Sequence, residues 1–115
     1  MLENLTNFSK LIRGAGQLMP RIKKMKEDLG KKEVEATSNS GHVSVYMSGS
    51  GIVTRIAVSP ELLASNEHSH IEAQIIETMN VAIQRAKALH LKAVHEVVGD
   101  LGIPGIDRIL EQLAE

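Results

Sequence analysis

The stretch that decides the fold is EVEATSNSGHVSVYMSGSGIVTRIAVSPELL, residues 33–63. Apolar and polar residues alternate along much of it, which is the pattern of strands that bury one face. Two turn-forming runs interrupt the alternation, SNSG at 38–41 and GSG at 49–51, where Asn and Gly accept a positive φ. The pattern predicts a three-stranded antiparallel meander over residues 33–58.

The segment after the meander predicts helices. Ser59 is a typical N-cap and Pro60 suits a first helical position, so a short helical turn is expected through Leu63. A long helix is expected over residues 65–98, because apolar residues recur there every three or four positions. These are Ile71, Ile75, Met79, Ala82, Ala86, Leu89 and Ala93. Further apolar residues widen this stripe, so part of the helix is expected to pack on a second protomer.

Upstream of the meander, apolar residues follow a heptad pattern that is typical of a helix. Its positions are Phe8, Ala15, Ile22 and Leu29, with Leu11, Leu18 and Met25 between them. Pro20 lies inside the pattern, where it lacks an N–H and its ring collides with the carbonyl of Gly16. We therefore expect a helix over about 3–18, a kink or break near Pro20, and a second segment that ends at Leu29, before Gly30.

Together these elements predict an α+β fold in one domain, residues 1–115. It comprises an N-terminal helix that is kinked or broken near Pro20, a three-stranded antiparallel meander, a long C-terminal helix and a short terminal helix. The expected segments are a basic helical arm at 1–30, the β-meander at 33–58, the long helix at 65–98 and a tail at 99–115.

Composition excludes several classes of function. The chain has no Cys, which rules out disulfides, thiolate nucleophiles and sulfur-based zinc sites. Phe8 and Tyr46 are the only aromatic residues, so stacking platforms for bases are nearly absent. No apolar run approaches the roughly 18 residues of a spanning helix and no signal peptide is evident, so we expect a cytoplasmic protein without membrane contact.

The polar residues form no recognisable catalytic or metal-binding pattern. His68 and His70 are two residues apart, and His90 and His95 are five apart, so neither pair lies on one helical face. Neither glycine-rich run has the spacing of a phosphate-binding loop, and no order of Ser, His and Asp specifies a nucleophile. We expect no enzymatic activity, no metal, no cofactor and no small-molecule substrate.

Charge is distributed unevenly along the chain. Residues 1–32 contain eight Lys or Arg against three acidic residues, whereas residues 33–115 contain five against eleven. This asymmetry is typical of a basic arm that binds a polyanion, or of two oppositely charged surfaces that pair in an oligomer. A solvated helix face is a further interpretation, because Glu27 and Asp28 interrupt the run. The candidate phosphate-contacting residues are Lys10, Arg13, Arg21, Lys23, Lys24, Lys26, Lys31 and Lys32.

The order of these features resembles the YbaB/EbfC family of bacterial nucleoid-associated proteins. The matching features are a Met- and Gln-containing helix at 17–25, Glu33-Val34, a Ser-Gly turn at 38–41, Val43 to Val45, Gly49, and SPELL at 59–63. The likeness extends to Asn80 and Ala82 and, more loosely, to Ile103-Pro104-Gly105. Two positions depart from the family pattern: Pro20 replaces a helix-compatible polar residue, and Ser59 replaces the common Asp.

The resemblance implies a tweezer-shaped homodimer that binds DNA with modest sequence preference and acts in nucleoid organisation or gene regulation. It also implies a location at the nucleoid in the cytoplasm. The candidate cations are expected to contact mainly backbone phosphates. A competing hypothesis is a protein-interaction or scaffold module, in which the wide apolar helix recruits another protein and DNA affinity is incidental.

Overall fold

The computed structural model describes residues 2–99 and Gln112. Its elements are α1 (Leu2–Lys31), β1 (Glu33–Thr37), β2 (Val43–Ser48), β3 (Val53–Val58), α2 (Pro60–Ala64) and α3 (His68–Gly99). The predicted order of helix, meander and long helix is confirmed. The tail and terminal helix predicted for 99–115 lie outside the described residues, apart from Gly99 and Gln112. The elements form two compact units, residues 29–90 and the described residues on either side of them.

Helix α1 contains Pro20 without ending there. Of the kink or break predicted near this residue, the break does not occur, because a single helix runs from Leu2 to Lys31. An interior proline costs about 3 kcal/mol, mainly through one missing hydrogen bond and a steric clash. A break would instead create two new helix ends, each with several unpaired backbone groups. Continuing the helix keeps those groups paired.

The meander has the strand order β1-β2-β3, with both pairs antiparallel. Both predicted turns are confirmed. In the first, the Gly41 N–H donates to the Ser38 carbonyl over 2.9 Å, and Gly41 has a φ of 77°. In the second, the Gly51 N–H donates to the Ser48 carbonyl over 2.9 Å, and Gly51 has a φ of 90°. Glycine is needed at both positions because a side chain disfavours a positive φ.

The core of the 29–90 unit lies between one face of the meander and helix α3. The meander contributes Val34, Ala36, Val43, Val45 and Met47, all buried. The buried residues of α3 recur every four positions and are Gln74, Thr78, Ala82 and Ala86. This row is narrower than the predicted apolar face, whose members Ile71, Ile75, Met79 and Leu89 are half-buried at the margin of the core.

Two polar residues lie in this buried row, and both have hydrogen-bond partners. The Ser40 hydroxyl donates to Oε1 of Gln74 over 2.7 Å, and Nε2 of Gln74 lies 2.9 Å from Nε2 of His70. The Thr78 hydroxyl donates to the Gln74 carbonyl over 2.7 Å. Buried polar groups are tolerated when they are paired in this way. The Ser40 contact also fixes the first turn of the meander against α3.

The connection from the sheet to α3 follows local backbone chemistry. Ser59 is the N-cap of α2, as predicted: its hydroxyl accepts from the Leu62 N–H over 3.2 Å. Nδ1 of His42 lies 2.6 Å from the same hydroxyl. Helix α3 begins at His68 rather than at 65, because Asn66 adopts a positive φ of 56° that no helix residue shares.

Gly49 provides a direct test of packing in the 29–90 unit. A Cβ at this position would lie 2.6 Å from the Leu29 carbonyl oxygen and 3.0 Å from Cδ2 of Leu89. Gly49→Ala should therefore lower the free energy of unfolding by about 1–3 kcal/mol, the usual cost of overpacking. Urea denaturation measures the change. Gly30→Ala is the matched control, because nothing lies within 4 Å of its Cβ, and it should be neutral or slightly stabilising.

The cap of α2 gives a second stability prediction. Ser59→Ala removes the acceptor for the Leu62 N–H and the partner of the His42 ring. It should lower the free energy of unfolding by about 1 kcal/mol, whereas Ser59→Asp, which restores a capping acceptor, should remain near the wild type. Equal stability of the alanine and aspartate variants in thermal denaturation would show that the cap contributes nothing.

Candidate nucleic-acid interface

Most of the candidate cations lie on helix α1. Arg13, Arg21, Lys23, Lys24 and Lys26 are all exposed on it. Lys10 belongs to the same helix. A helix holds long cationic side chains at fixed spacings, so several can reach neighbouring phosphates at once.

Helical geometry divides these cations between two flanks. At about 100° per residue, Arg13, Arg21 and Lys24 fall within one arc of about 80°. Lys23 and Lys26 fall on another side, about 160° and about 140° around the helix from Arg21. The apolar positions between the two flanks are Leu18, Ile22 and Met25, which are half-buried or buried. The basic surface predicted as one cluster is therefore two basic flanks on either side of an apolar stripe.

The second flank has an apolar neighbour. Lys23 and Lys26 line a shallow surface hollow together with Met19, Pro20 and Ile22. Met19 is 68% exposed. A hollow lined by three apolar side chains and two cations suits contact with a sugar-phosphate backbone, whose sugars offer apolar surface between charged groups. The hollow has no aromatic residue on which a base could stack.

Two acidic residues follow the cations on the same helix. Glu27 and Asp28 are exposed, and Asp28 lies four residues after Lys24, a spacing that brings side chains together on a helix. They reduce the positive charge near the C-terminal part of the basic flanks. The strongest positive potential of α1 is therefore expected before Glu27.

Lys31 and Lys32 lie in the other compact unit, where α1 ends and the sheet begins. Lys31 is in the last turn of α1, and both side chains are exposed. The Lys32 N–H donates to the Leu29 carbonyl over 3.1 Å, and its carbonyl accepts from the Gly49 N–H over 2.9 Å. These bonds fix the backbone of Lys32 while its ammonium group remains accessible.

A cationic residue that the sequence did not single out lies on the outer face of the sheet. Arg55 is directly opposite Tyr46 in the strand register, and its guanidinium carbon is 5.3 Å from the centre of the tyrosine ring. Glu35 continues the same row on β1. The alternation of apolar and polar residues predicts that Tyr46 and Arg55 lie on strands. It does not predict that they are paired, because a bulge shifts the register between Tyr46 and Met47.

Arg85 is a second residue that the sequence did not reveal. Its Nη1 donates to the backbone carbonyl of Glu35 over 2.6 Å. The two residues are 50 positions apart, and the acceptor is a main-chain oxygen that every residue carries. No local pattern can reveal such a contact.

An apolar strip remains exposed on β3. The register places Val53 and Ile56 opposite Met47 and Val45, on the face of the sheet that carries the core. Yet Val53 and Ile56 are 40% and 42% exposed, and the preceding Ile52 is 65% exposed. The alternation predicts that one face of each strand is buried, and on β3 that face remains exposed at Val53 and Ile56. The buried row of α3 covers the inner faces of β1 and β2 and leaves this strip, Ile52, Val53 and Ile56, open.

No group of three or more His, Asp or Glu side chains is arranged to hold a metal ion within residues 2–99. In the same part of the chain, no helix is both long enough and apolar enough to cross a membrane.

Comparison with known proteins finds similar sequences among nucleoid-associated proteins. A 33% identical nucleoid-associated protein of Anaeromyxobacter dehalogenans aligns over 96 residues, 84% of this chain and 93% of the relative. A nucleoid-associated protein of Thermoanaerobacter pseudethanolicus is 29% identical over 100 residues, 87% of this chain and 90% of the relative.

A solved structure supports the fold independently. The crystal structure of an uncharacterized protein from Helicobacter pylori superimposes with a TM-score of 0.70 at 15% identity, covering 79% of this chain and 96% of that one. At this identity the likeness concerns the fold alone. The model of the YbaB/EbfC DNA-binding family matches residues 4–101, which contain α1, the whole meander and α3. The chain belongs to the YbaB/EbfC DNA-binding family.

Proposed function

We propose that this chain binds duplex DNA as a homodimer, mainly through backbone phosphates and with modest sequence preference. The observation that carries the proposal is the pair of exposed basic flanks on α1, in a chain of a DNA-binding family. The proposed contacts are those of Lys10, Arg13, Arg21, Lys23, Lys24, Lys26, Lys31 and Lys32. Relatives named nucleoid-associated proteins support a role at the nucleoid, in its organisation or in gene regulation.

Phosphate contacts fit the chemistry of the exposed side chains better than base contacts do. Lys and Arg neutralise phosphates and release condensed counterions, a term that does not depend on sequence. Specific readout needs bidentate side chains in a groove or aromatic residues that stack on bases. With only Phe8 and Tyr46 as aromatic residues, the chain has few means of stacking. Affinity should therefore vary little between unrelated sequences.

A homodimer strengthens this binding. One chain has a formal net charge of -1, so long-range attraction to DNA is weak and the local basic flanks must supply the affinity. Two copies double the number of flanks on one assembly. Joined sites bind far more tightly than separate ones when both can reach the same ligand.

The exposed apolar strip on β3 is the surface on which we propose that a second copy of the chain packs. It continues the core face of the sheet, and open sheet edges with exposed apolar residues are templates for association. Ile83 of α3 is 37% exposed and lines a hollow with Gly51, the neighbour of Ile52, so apolar surface extends from β3 onto the helix. The near-neutral chain offers little charge repulsion between copies. A two-fold dimer would cover both strips with one interface.

Charge reversal on each flank tests the DNA contacts. Arg13→Glu with Lys24→Glu changes the first flank, and Lys23→Glu with Lys26→Glu changes the second. Each pair should weaken binding by roughly tenfold or more, about 1.4 kcal/mol, and equally for unrelated duplexes, because phosphate contacts carry no sequence information. Fluorescence anisotropy with two unrelated duplexes measures the loss.

Arg55→Glu is the control for charge reversal itself, since it reverses one exposed cation on the outer face of the sheet, outside the proposed contacts and the apolar strip, with half the charge change of each pair. It should leave DNA affinity nearly unchanged. Unaltered affinity of both flank variants, with folding and dimer mass intact, would remove α1 as the DNA-binding surface. That result would favour the competing role of a protein-interaction module, for which the apolar strip could serve another protein.

Disruption of the apolar strip tests the homodimer. Ile56→Asp places a charge where the proposed partner covers β3. Burying an unpaired charge costs far more free energy than burial of the apolar strip contributes. The variant should be monomeric at concentrations where the wild type is dimeric, as measured by light scattering. Asn39→Asp, which adds the same charge at an exposed turn, should stay dimeric. An Ile56→Asp variant with the dimer mass would place the interface elsewhere.

A further inference from the structure

The sheet has one edge at β1 and the other at β3. The strand register shows which backbone groups of β1 point away from the sheet. The Ser38 N–H donates to the Val43 carbonyl over 2.8 Å, and the Gly49 N–H donates to the Lys32 carbonyl over 2.9 Å. Hydrogen-bonded and non-bonded pairs alternate along antiparallel strands, so every second residue between Lys32 and Ser38 also bonds to β2. The residues whose N–H and C=O groups point away from the sheet are Glu33, Glu35 and Thr37.

Arg85 occupies the central one of these outward positions. Glu35 is the middle residue of the five-residue strand β1, and its carbonyl accepts the 2.6 Å hydrogen bond from Nη1 of Arg85. A strand that added to β1 would need this carbonyl as an acceptor. It would have to displace the guanidinium group, which reaches the edge from α3.

The opposite edge carries no comparable cover in the 29–90 unit. Val53 and Ile56 of β3 are exposed, and the buried row of α3 lies over the other two strands. Arg85 and Ile83 lie two residues apart on α3. Arg85 bonds to β1, whereas Ile83 lines the hollow beside the turn that leads into β3. The helix therefore closes one edge and leaves apolar surface open toward the other.

We propose that Arg85 blocks strand addition at β1, so that self-association uses the β3 side alone and stops at two copies. This inference rests on the proposed homodimer. A sheet with two open edges can add a copy at each end, and such head-to-tail contacts give open-ended assemblies. Closing one edge leaves each copy with a single association surface, and a two-fold dimer buries that surface in both copies.

The negative charge of Glu35 also disfavours the addition of a second β1 strand at this edge. Antiparallel pairing of two β1 strands centred on Glu35 would place the two Glu35 side chains directly opposite each other. Like charges at paired positions destabilise a sheet. Opening the edge fully therefore requires the loss of Arg85 and of the Glu35 charge together.

The test is the variant Arg85→Met with Glu35→Thr, compared with the wild type and with Lys92→Met. Lys92→Met removes one positive charge from an exposed position of the same helix, outside the 29–90 unit. We expect the double variant to exceed the dimer mass increasingly as concentration rises, measured by light scattering, while Lys92→Met matches the wild type. Arg85→Lys, which keeps a donor on a long side chain, should also match the wild type.

Amide hydrogen exchange by NMR identifies the edge that is used. The amides at positions 35 and 37 point away from the sheet, so in the double variant at high concentration they should exchange about tenfold more slowly than in the wild type. An unchanged mass with unchanged exchange at both amides would overturn the role of Arg85. If circular dichroism shows that the variant is unfolded, Arg85→Gln with Glu35→Thr, which retains a polar side chain too short to replace the guanidinium, takes the same test.

Failure of this inference is distinguishable from failure of the homodimer. A wild-type protein that is monomeric at every concentration would contradict the homodimer. Exchange at positions 35 and 37 would still decide the role of Arg85, because opening β1 alone would then pair the monomers through that edge.

Discussion

The packing of α3 on the inner face of the meander is the constraint on which the 29–90 unit depends. A helix approaches a sheet closely only where its contact row is small, and in α3 that row includes Ala82 and Ala86, both buried. Val45 and Met47 fill the space opposite them and are almost wholly inaccessible. Interiors packed at this density leave no room for larger side chains along the row.

The position of this contact decides which parts of the sheet stay open. The buried row of α3 lies over the residues of β1 and β2, and Arg85 beside it reaches the backbone of β1. The strip on β3 keeps the apolar residues of a core face without the cover of the helix. One packing arrangement thus accounts for a closed edge, an open strip and the proposed association through that strip.

Much of the fold follows from sequence because its signals are local. The alternation at Val43, Val45 and Met47, the glycines at 41 and 51, and the Ser59-Pro60 cap each specify a backbone geometry within a few residues. Pro20 does not break α1, because the cost of one interior proline is smaller than that of ending a helix twice. The buried Gln74 and Thr78 could not be predicted as core, since only their tertiary partners make their burial tolerable.

The candidate site was less accessible to sequence reasoning. Charge asymmetry identified the basic arm, and helix geometry then divided it into two flanks. The exposure of Ile56 depends on where α3 packs, and the contact of Arg85 is with a main-chain oxygen, so neither leaves a local pattern. Exposure identifies side chains that are able to meet phosphates, but the number that do so is a property of the complex with DNA.

Counterion release gives that number. The most direct test of the account is the affinity of the wild-type protein for a duplex of arbitrary sequence, measured over a series of salt concentrations. Each neutralised phosphate adds about 0.9 to the negative slope of log affinity against log salt. The account predicts a steep negative slope that is the same for unrelated sequences. A slope near zero would contradict binding through the cations of α1.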